Sequence, residues 1–123
     1  MTALVGKRCL IVEDEALIVL DLQRMLEEAG AALVVCAHTL AEAEAALREL
    51  RFDLAVLDLK LGRGETSLPL AKPLAAAGTP FLFLTGTEPE RVQLDGFAGP
   101  IVEKPYTKPM LLDAAARALS AAR

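Results

Sequence analysis

One histidine and two cysteines are all the imidazole and thiol ligands that the 123 residues offer, and no CxxC or Cys/His spacing links them. A zinc site is thereby excluded as a reading, since His38 alone cannot complete a ligand set. No run approaches the roughly 18 apolar residues of a membrane span, and no N-terminal apolar segment leads to a cleavage site. A soluble, cytoplasmic protein with no membrane partner is the expectation. Basic residues are outnumbered, 13 against 17 acidic, for a net charge of −4, which argues against a nucleic-acid surface. There is no P-loop and no GxGxxG, and no second acid two residues after a nucleophilic aspartate on the first strand. Nucleotide-binding and phosphatase-like α/β enzymes lose their support with those motifs.

What is present is an apolar fraction of 54% with 24% charge, the balance of one well-packed domain covering residues 1–123. Five short runs read as strands: Arg8–Val12, Ala32–Ala37, Leu54–Asp58, Pro80–Thr85 and Ile101–Glu103. Most are apolar at every position, as strands buried on both faces must be. Cys9 and Cys36 fall inside two of them and read as buried free thiols, with a disulfide left open if those strands are neighbours.

Helical patterns alternate with the strands. The first starts near Ala16, sets Ile18, Leu22, Met25 and Ala29 on one face and stops at Gly30. The second opens on the capping box Thr39-x-x-Glu42 and aligns Ala43, Ala46, Leu47 and Leu50. The third begins near Ser67 and ends at Gly78, with Pro73 delaying or kinking it. The last starts at Thr107 and turns Leu111, Ala115 and Ala118 inward. Between Thr85 and Ile101 the pattern is broken by Gly86, Pro89, Gly96, Gly99 and Pro100, leaving one or two helical turns or a mobile loop. Alternating βα units predict a doubly wound five-stranded parallel sheet, a (βα)5 flavodoxin-like fold with a shortened or disordered fourth helix.

Each strand that carries chemistry ends in a polar group. Glu13-Asp14 follow the first strand, Asp58 ends the third, Thr85 ends the fourth, and Lys104 follows the fifth. In an open parallel sheet the carboxyl edge is where ligands bind, so these groups should share one pocket. Two like charges ~4 Å apart repel by about 4 kcal/mol at an effective dielectric near 20, so the acids must protonate, find a base or bind a cation. Hard oxygen ligands in a small open site suit Mg2+. With the acids neutralised, Asp58 is a credible nucleophile toward phosphorus, with Lys104 and Thr85 serving the phosphoryl oxygens. Taken singly, an acidic pair is a solvated loop, Asp58 a turn cap and Thr85-Gly86 a turn. The function rests on their coincidence at one edge.

With those residues in view, the chain resembles a receiver domain of two-component response regulators, nearly end to end. The resemblance implies that Glu13, Asp14 and Asp58 hold Mg2+ together with the backbone carbonyl of Lys60. Asp58 would be the phosphoacceptor, Thr85 the switch hydroxyl, and Lys104-Pro105 the family's Lys-Pro pair, with its peptide bond typically cis. The phosphodonor would be a sensor histidine kinase or a histidine phosphotransfer protein. The protein would not be an enzyme beyond its own phosphorylation and dephosphorylation.

Three stretches depart from the common pattern. Leu61-Gly62-Arg63-Gly64-Glu65-Thr66 replaces the usual hydrophobic-Pro pair and later Gly, Ile101 replaces the aromatic switch residue, and the segment after Thr85 is short. With Pro80-Phe81-Leu82-Phe83-Leu84-Thr85-Gly86, these are similar to the atypical FAT GUY receivers, often stand-alone regulators. An Ile at 101 cannot make an aromatic flip, so the signal is expected to travel through ordering of residues 86–99. No output domain is expected. The protein would act by binding a partner or as a phosphate sink, on a face of residues 86–106 and the last helix that includes Val92, Leu94, Phe97, Ile101 and Tyr106. That face could equally support a homodimer. A phosphorylation-independent pseudo-receiver is the alternative, weakened because a scaffold has no need of clustered acids.

Overall fold

Short, largely apolar runs become strands, most of them buried along nearly their whole length, with Leu33–Ala37 only partly covered. The computed structural model describes residues 3–87, 89, 93–94 and 96–121. In it, Arg8–Val12 (β1), Leu33–Ala37 (β2), Leu54–Asp58 (β3), Phe81–Thr85 (β4) and Ile101–Glu103 (β5) form one parallel sheet, ordered β2-β1-β3-β4-β5. β2 and β4 each begin one residue later than the sequence pattern, after Ala32 and Pro80. The order reverses between β1 and β3, which opens a crevice at their carboxyl ends.

Side-chain alternation along the strands sorts the core into two layers. Cys9, Ile11, Leu54, Val56, Leu82 and Leu84 face Ala16–Glu28 (α1) and the C-terminal helix Lys108–Ala121 (α4). Leu10, Val12, Ala55, Leu57 and Phe83 face Leu40–Glu49 (α2) and Ala71–Ala76 (α3). The described residues thus form a flavodoxin-like α/β sandwich of five parallel strands and four delimited helices, the fourth being C-terminal.

The helix faces differ in detail from the sequence pattern. In α1 the fully buried residues are Val19, Leu22 and Leu26, while Ile18, Met25 and Ala29 flank them half-buried. A helix lying on a sheet buries an arc wider than one stripe, so its centre can rotate away from the most regular apolar row. In α2 the Thr39 hydroxyl accepts from the Glu42 amide at 3.1 Å. The Glu42 carboxylate reaches back to the His38 amide at 3.0 Å, one residue before the cap. Leu50 does not join the buried face, because the chain turns extended there and leaves it 36% exposed.

Pro73 does delay the third helix. A 3-10 turn at Leu68–Leu70 precedes α3, and Pro73 sits in its first turn, where no intrahelical acceptor is required of its nitrogen. In α4 the Thr107 hydroxyl accepts from the Met110 amide at 3.3 Å, and Leu111, Ala114, Ala115 and Ala118 are buried. Both cysteines are free thiols. Strand register separates them, since Cys9 lies beside Val34 and Cys36 beside Ile11. Burial raises both thiol pKa values, Cys9 to about 11.

Glu88, Glu90, Arg91, Val92 and Asp95 lie outside the described residues, so the expected one or two helical turns and the placing of Val92 fall there in part. Around them, Leu94 is buried and its carbonyl accepts from the Phe97 amide at 2.9 Å. The Phe97 ring stacks on Phe81 at 5.4 Å and meets Phe83 edge-on at 5.1 Å. Among the described residues, no helix is long and apolar enough to cross a membrane.

Replacing Thr39 with Ala should lower the unfolding free energy by about 1 kcal/mol, read from the denaturant midpoint, because an N-terminal amide of α2 loses its acceptor. An unchanged midpoint would assign the capping to Glu42 alone.

Candidate functional site

The ladders of β1, β3, β4 and β5 run on past their strands and carry the polar residues to one edge. Glu13 donates its amide to the Ala37 carbonyl, Leu59 to Leu84, and Lys104 to Thr85, at 3.0, 3.0 and 2.8 Å. The Lys104-Pro105 peptide is cis. Glu13, Asp58 and Thr85 are buried, with Glu13 and Thr85 each 1% and Asp58 4% exposed, whereas Asp14 is exposed. One carboxylate oxygen from each of Glu13, Asp14 and Asp58 falls within 4.8 Å of the others. Lys104 Nζ donates to Asp58 Oδ2 at 3.0 Å and stands 3.7 Å from Glu13 Oε1.

Three carboxylates around one ammonium leave the pocket with an excess of negative charge. Burial first, and then the close Asp58 carboxylate, push Glu13 up to about 8. The Glu15 amide, which donates to Glu13 Oε2 at 3.0 Å, and the Lys104 charge pull the other way and lose. Nearby, burial, then the charges of Asp21, Glu13 and Asp58, raise the Tyr106 phenol to about 12, so it stays a neutral hydroxyl. Among the described residues Glu13 Oε1, Asp58 Oδ1 and Thr85 Oγ1 are buried without a hydrogen-bond partner. Buried polar atoms left in this way mark a place shaped for something further.

The residues present fit a small divalent cation. The convergent oxygens are hard donors, and two of the orphaned atoms are carboxylate oxygens that a cation would satisfy. Lys60 sits in the hairpin that follows β3, opposite Thr66. The flanking bonds, Ser67 amide to Leu59 carbonyl and Leu61 amide to Glu65 carbonyl, make this a wide antiparallel pair. Such a pair turns the Lys60 amide and carbonyl away from Thr66, to the side where β1 lies.

Residues 9–116 match the family model of the response regulator receiver domain. The chain belongs to that family. Receivers are phosphoacceptor signalling domains of two-component systems rather than enzymes in the ordinary sense, and they interact with kinases or phosphotransfer proteins and with downstream targets. They typically hold Mg2+ in an acidic pocket, and the cluster described above is of that kind. The solution structure of SdrG from Sphingomonas melonis Fr1 is 38% identical, with a TM-score of 0.81 over 97% of this receiver and 99% of SdrG. The response regulator PhyR from Brucella abortus is 28% identical, with a TM-score of 0.80 over 94% of this receiver but 49% of PhyR. The receiver domain of Erythrobacter litoralis PhyR is 25% identical, with a TM-score of 0.80 over 96% and 93% of the two chains. No curated protein matches the chain.

Of the residues named on the face expected to receive a downstream partner, the described ones are wholly or partly enclosed, while Met110 of the last helix is 46% exposed. Leu94 is buried, Phe97 and Ile101 pack against the α2–α3 layer, and Tyr106 packs half-buried against the α1–α4 layer. Val92 lies outside the described residues. The sequence pattern did not single out Leu17 and Leu20, which stand 80% and 54% exposed on α1, close after Asp14. Their signal was present, since they fall off the helix's apolar row.

The raised Glu13 pKa sets a pH dependence for the protein in chelator. Between the ordinary carboxylate range and about pH 8 the folded state keeps a proton that the unfolded chain has released. Stability is therefore full at the acid end of that window and falls as pH rises through it, by at most about 1.4 kcal/mol per pH unit for one proton. Denaturant unfolding across the window should show that decline for the wild type and a flatter profile for Glu13→Gln.

Proposed function

We propose that the protein accepts a phosphoryl group on Asp58 from a phosphohistidine of a sensor kinase or phosphotransfer protein. It would signal through protein–protein contacts or drain the donor as a phosphate sink, in the cytoplasm, with residues 1–123 working as one receiver domain. The observation that carries this reading is the buried Asp58 paired with the half-buried Lys104 beside Glu13, with a Thr85 hydroxyl that has no partner. Buried charge of this kind serves no packing purpose and is costly unless it has chemistry to do.

Glu13, Asp14, Asp58 and the Lys60 carbonyl would hold a magnesium ion, which when bound neutralises the acids and an incoming phosphoryl group. Asp58 attacks phosphorus through a carboxylate oxygen. An O–P bond forms as the N–P bond of the phosphohistidine breaks, and the imidazole leaves with the electron pair. Lys104, already 3.0 Å from Asp58 Oδ2, stabilises charge on the transferred oxygens. The Thr85 hydroxyl donates to a phosphoryl oxygen.

Two finer points belong to the same reading. Ile101, the Leu61–Thr66 loop and the Pro80–Gly86 stretch support a place among the FAT GUY receivers. Leu17 and Leu20, exposed beside the acidic edge, support docking of the phosphodonor on α1.

Acetyl phosphate or phosphoramidate with Mg2+ should add one phosphoryl group to the wild type, read by intact mass, and none to Asp58→Asn. Lys104→Ala should slow the reaction by about 10²-fold while leaving Mg2+ binding. No adduct, together with no Mg2+-dependent beryllofluoride binding, would leave a phosphorylation-independent binding module. Replacing both Leu17 and Leu20 with Ser should slow transfer from a phosphohistidine protein and leave the acetyl phosphate rate unchanged. Equal loss with both donors would remove α1 as the docking face.

A further inference from the structure

The loop after β3 is where the sequence departs furthest from the receiver pattern, with Leu61-Gly62 in place of a hydrophobic-Pro pair. Gly62, Arg63 and Gly64 all have positive φ, 76°, 53° and 77°. A proline ring holds φ near about −65°, so this backbone cannot form with the usual residue at 62. The loop is also tied at its base. Ser67 donates its amide to the Leu59 carbonyl at 2.9 Å, Leu61 to Glu65 at 3.0 Å, and Glu65 to Gly62 at 2.9 Å. The tip is thus held where it stands.

The two glycines of the tip differ in what they face. A Cβ on Gly62 would lie 2.7 Å from Asp14 Oδ2 and 3.6 Å from its Cγ, whereas a Cβ on Gly64 would meet nothing within 4 Å. The first contact is well inside van der Waals range, so either the loop or the carboxylate would have to move. Asp14 is the exposed member of the three-carboxylate cluster and the one least enclosed by strands.

We propose that Gly62 is a positioning residue for the cation site, its bare Cα forming the wall against which the Asp14 carboxylate is seated so that it converges with Glu13 and Asp58. This rests on the receiver reading above. Mg2+ demands near-octahedral geometry at about 2.0–2.1 Å, so a ligand oxygen displaced by a few tenths of an ångström loses its place in the shell. The departure at position 62 then serves two ends, the left-handed turn and the space beside Asp14.

Gly64 provides the control, because alanine there meets the same backbone strain without the contact. Mg2+ titration by calorimetry and by thermal shift, with unfolding measured in chelator, would be run on wild type, Gly62→Ala and Gly64→Ala. Both variants should lose similar stability in chelator. Gly64→Ala should keep the wild-type Mg2+ affinity, while Gly62→Ala weakens it by roughly 10–100-fold, the range for a residue that orients a metal ligand. In an Asp14→Ala background, Gly62→Ala should have no further effect on affinity. Should either alanine variant not fold, Gly62→Asn and Gly64→Asn repeat the comparison with a residue that tolerates the left-handed region. Equal weakening in both variants, or none in Gly62→Ala, overturns the proposal while the receiver reading stands. A wild type that takes up no Mg2+ overturns that reading and this proposal with it.

Discussion

Two buried carboxylates, Glu13 and Asp58, share one ammonium, and the rest of the structure is arranged so that this can be tolerated. Coulomb repulsion between the acids grows as water is removed, and Lys104 alone does not offset it. Burial first, and then the neighbouring Asp58, raise the Glu13 pKa well above the usual carboxylate range. The arrangement is costly in isolation, and its convergent oxygens are of a kind that a cation could satisfy. A parallel sheet suits such a site because its strand ends are rigid, adjacent and all of one polarity. The β1–β3 pairing brings Val12 beside Leu57, and with it Glu13 and Asp14 beside Asp58. Thr85 and Lys104 then follow from the next two strands.

The apolar layers explain why that edge does not relax. Every position of β3 is buried, and the last four of β1 and of β4 are too. A shift in register by one residue would exchange the two layers and present the wrong side chains to each pair of helices. Loops can adapt above the edge, but the strands cannot slide beneath them. The same packing limits what is left for partners. Phe97 is held against Phe81 and Phe83, and Leu94 is enclosed, so among the described residues the large apolar side chains left open lie elsewhere, Leu17 and Leu20 on α1 and Met110 on α4 among them.

The β3–α3 loop shows how a departure from a family pattern can be a structural requirement. A chain that reverses through three consecutive left-handed residues needs glycine or its nearest substitutes. Once the loop turns that way, its tip comes close to Asp14, and a Cβ at position 62 would meet that carboxylate. Arg63, with φ 53°, is the one non-glycine residue in the described chain to accept a left-handed backbone, between two glycines that share the turn.

Much of this was legible in the sequence. Short, largely apolar runs, separated by helical patterns with caps and terminating glycines, dictate a parallel α/β sheet. The polar residues at the ends of four of the five runs name the site, because strand polarity is common to all. Thr39, Thr107 and Pro73 acted locally as their chemistry requires, since capping and the missing proline amide depend only on near neighbours. What depends on distant parts of the chain was not legible. The rotation of α1 toward Val19 and Leu26, the exposure of Leu50, and the enclosure of Leu94 are decided by which layer each meets. So is the separation of Cys9 from Cys36, which only strand register sets. The contact between Gly62 and Asp14 joins loops 48 positions apart, and no local pattern encodes it. Sequence determined which groups end at the edge. Tertiary structure decided how closely they meet, because distance between strand ends is a property of the packed sheet and not of any one strand.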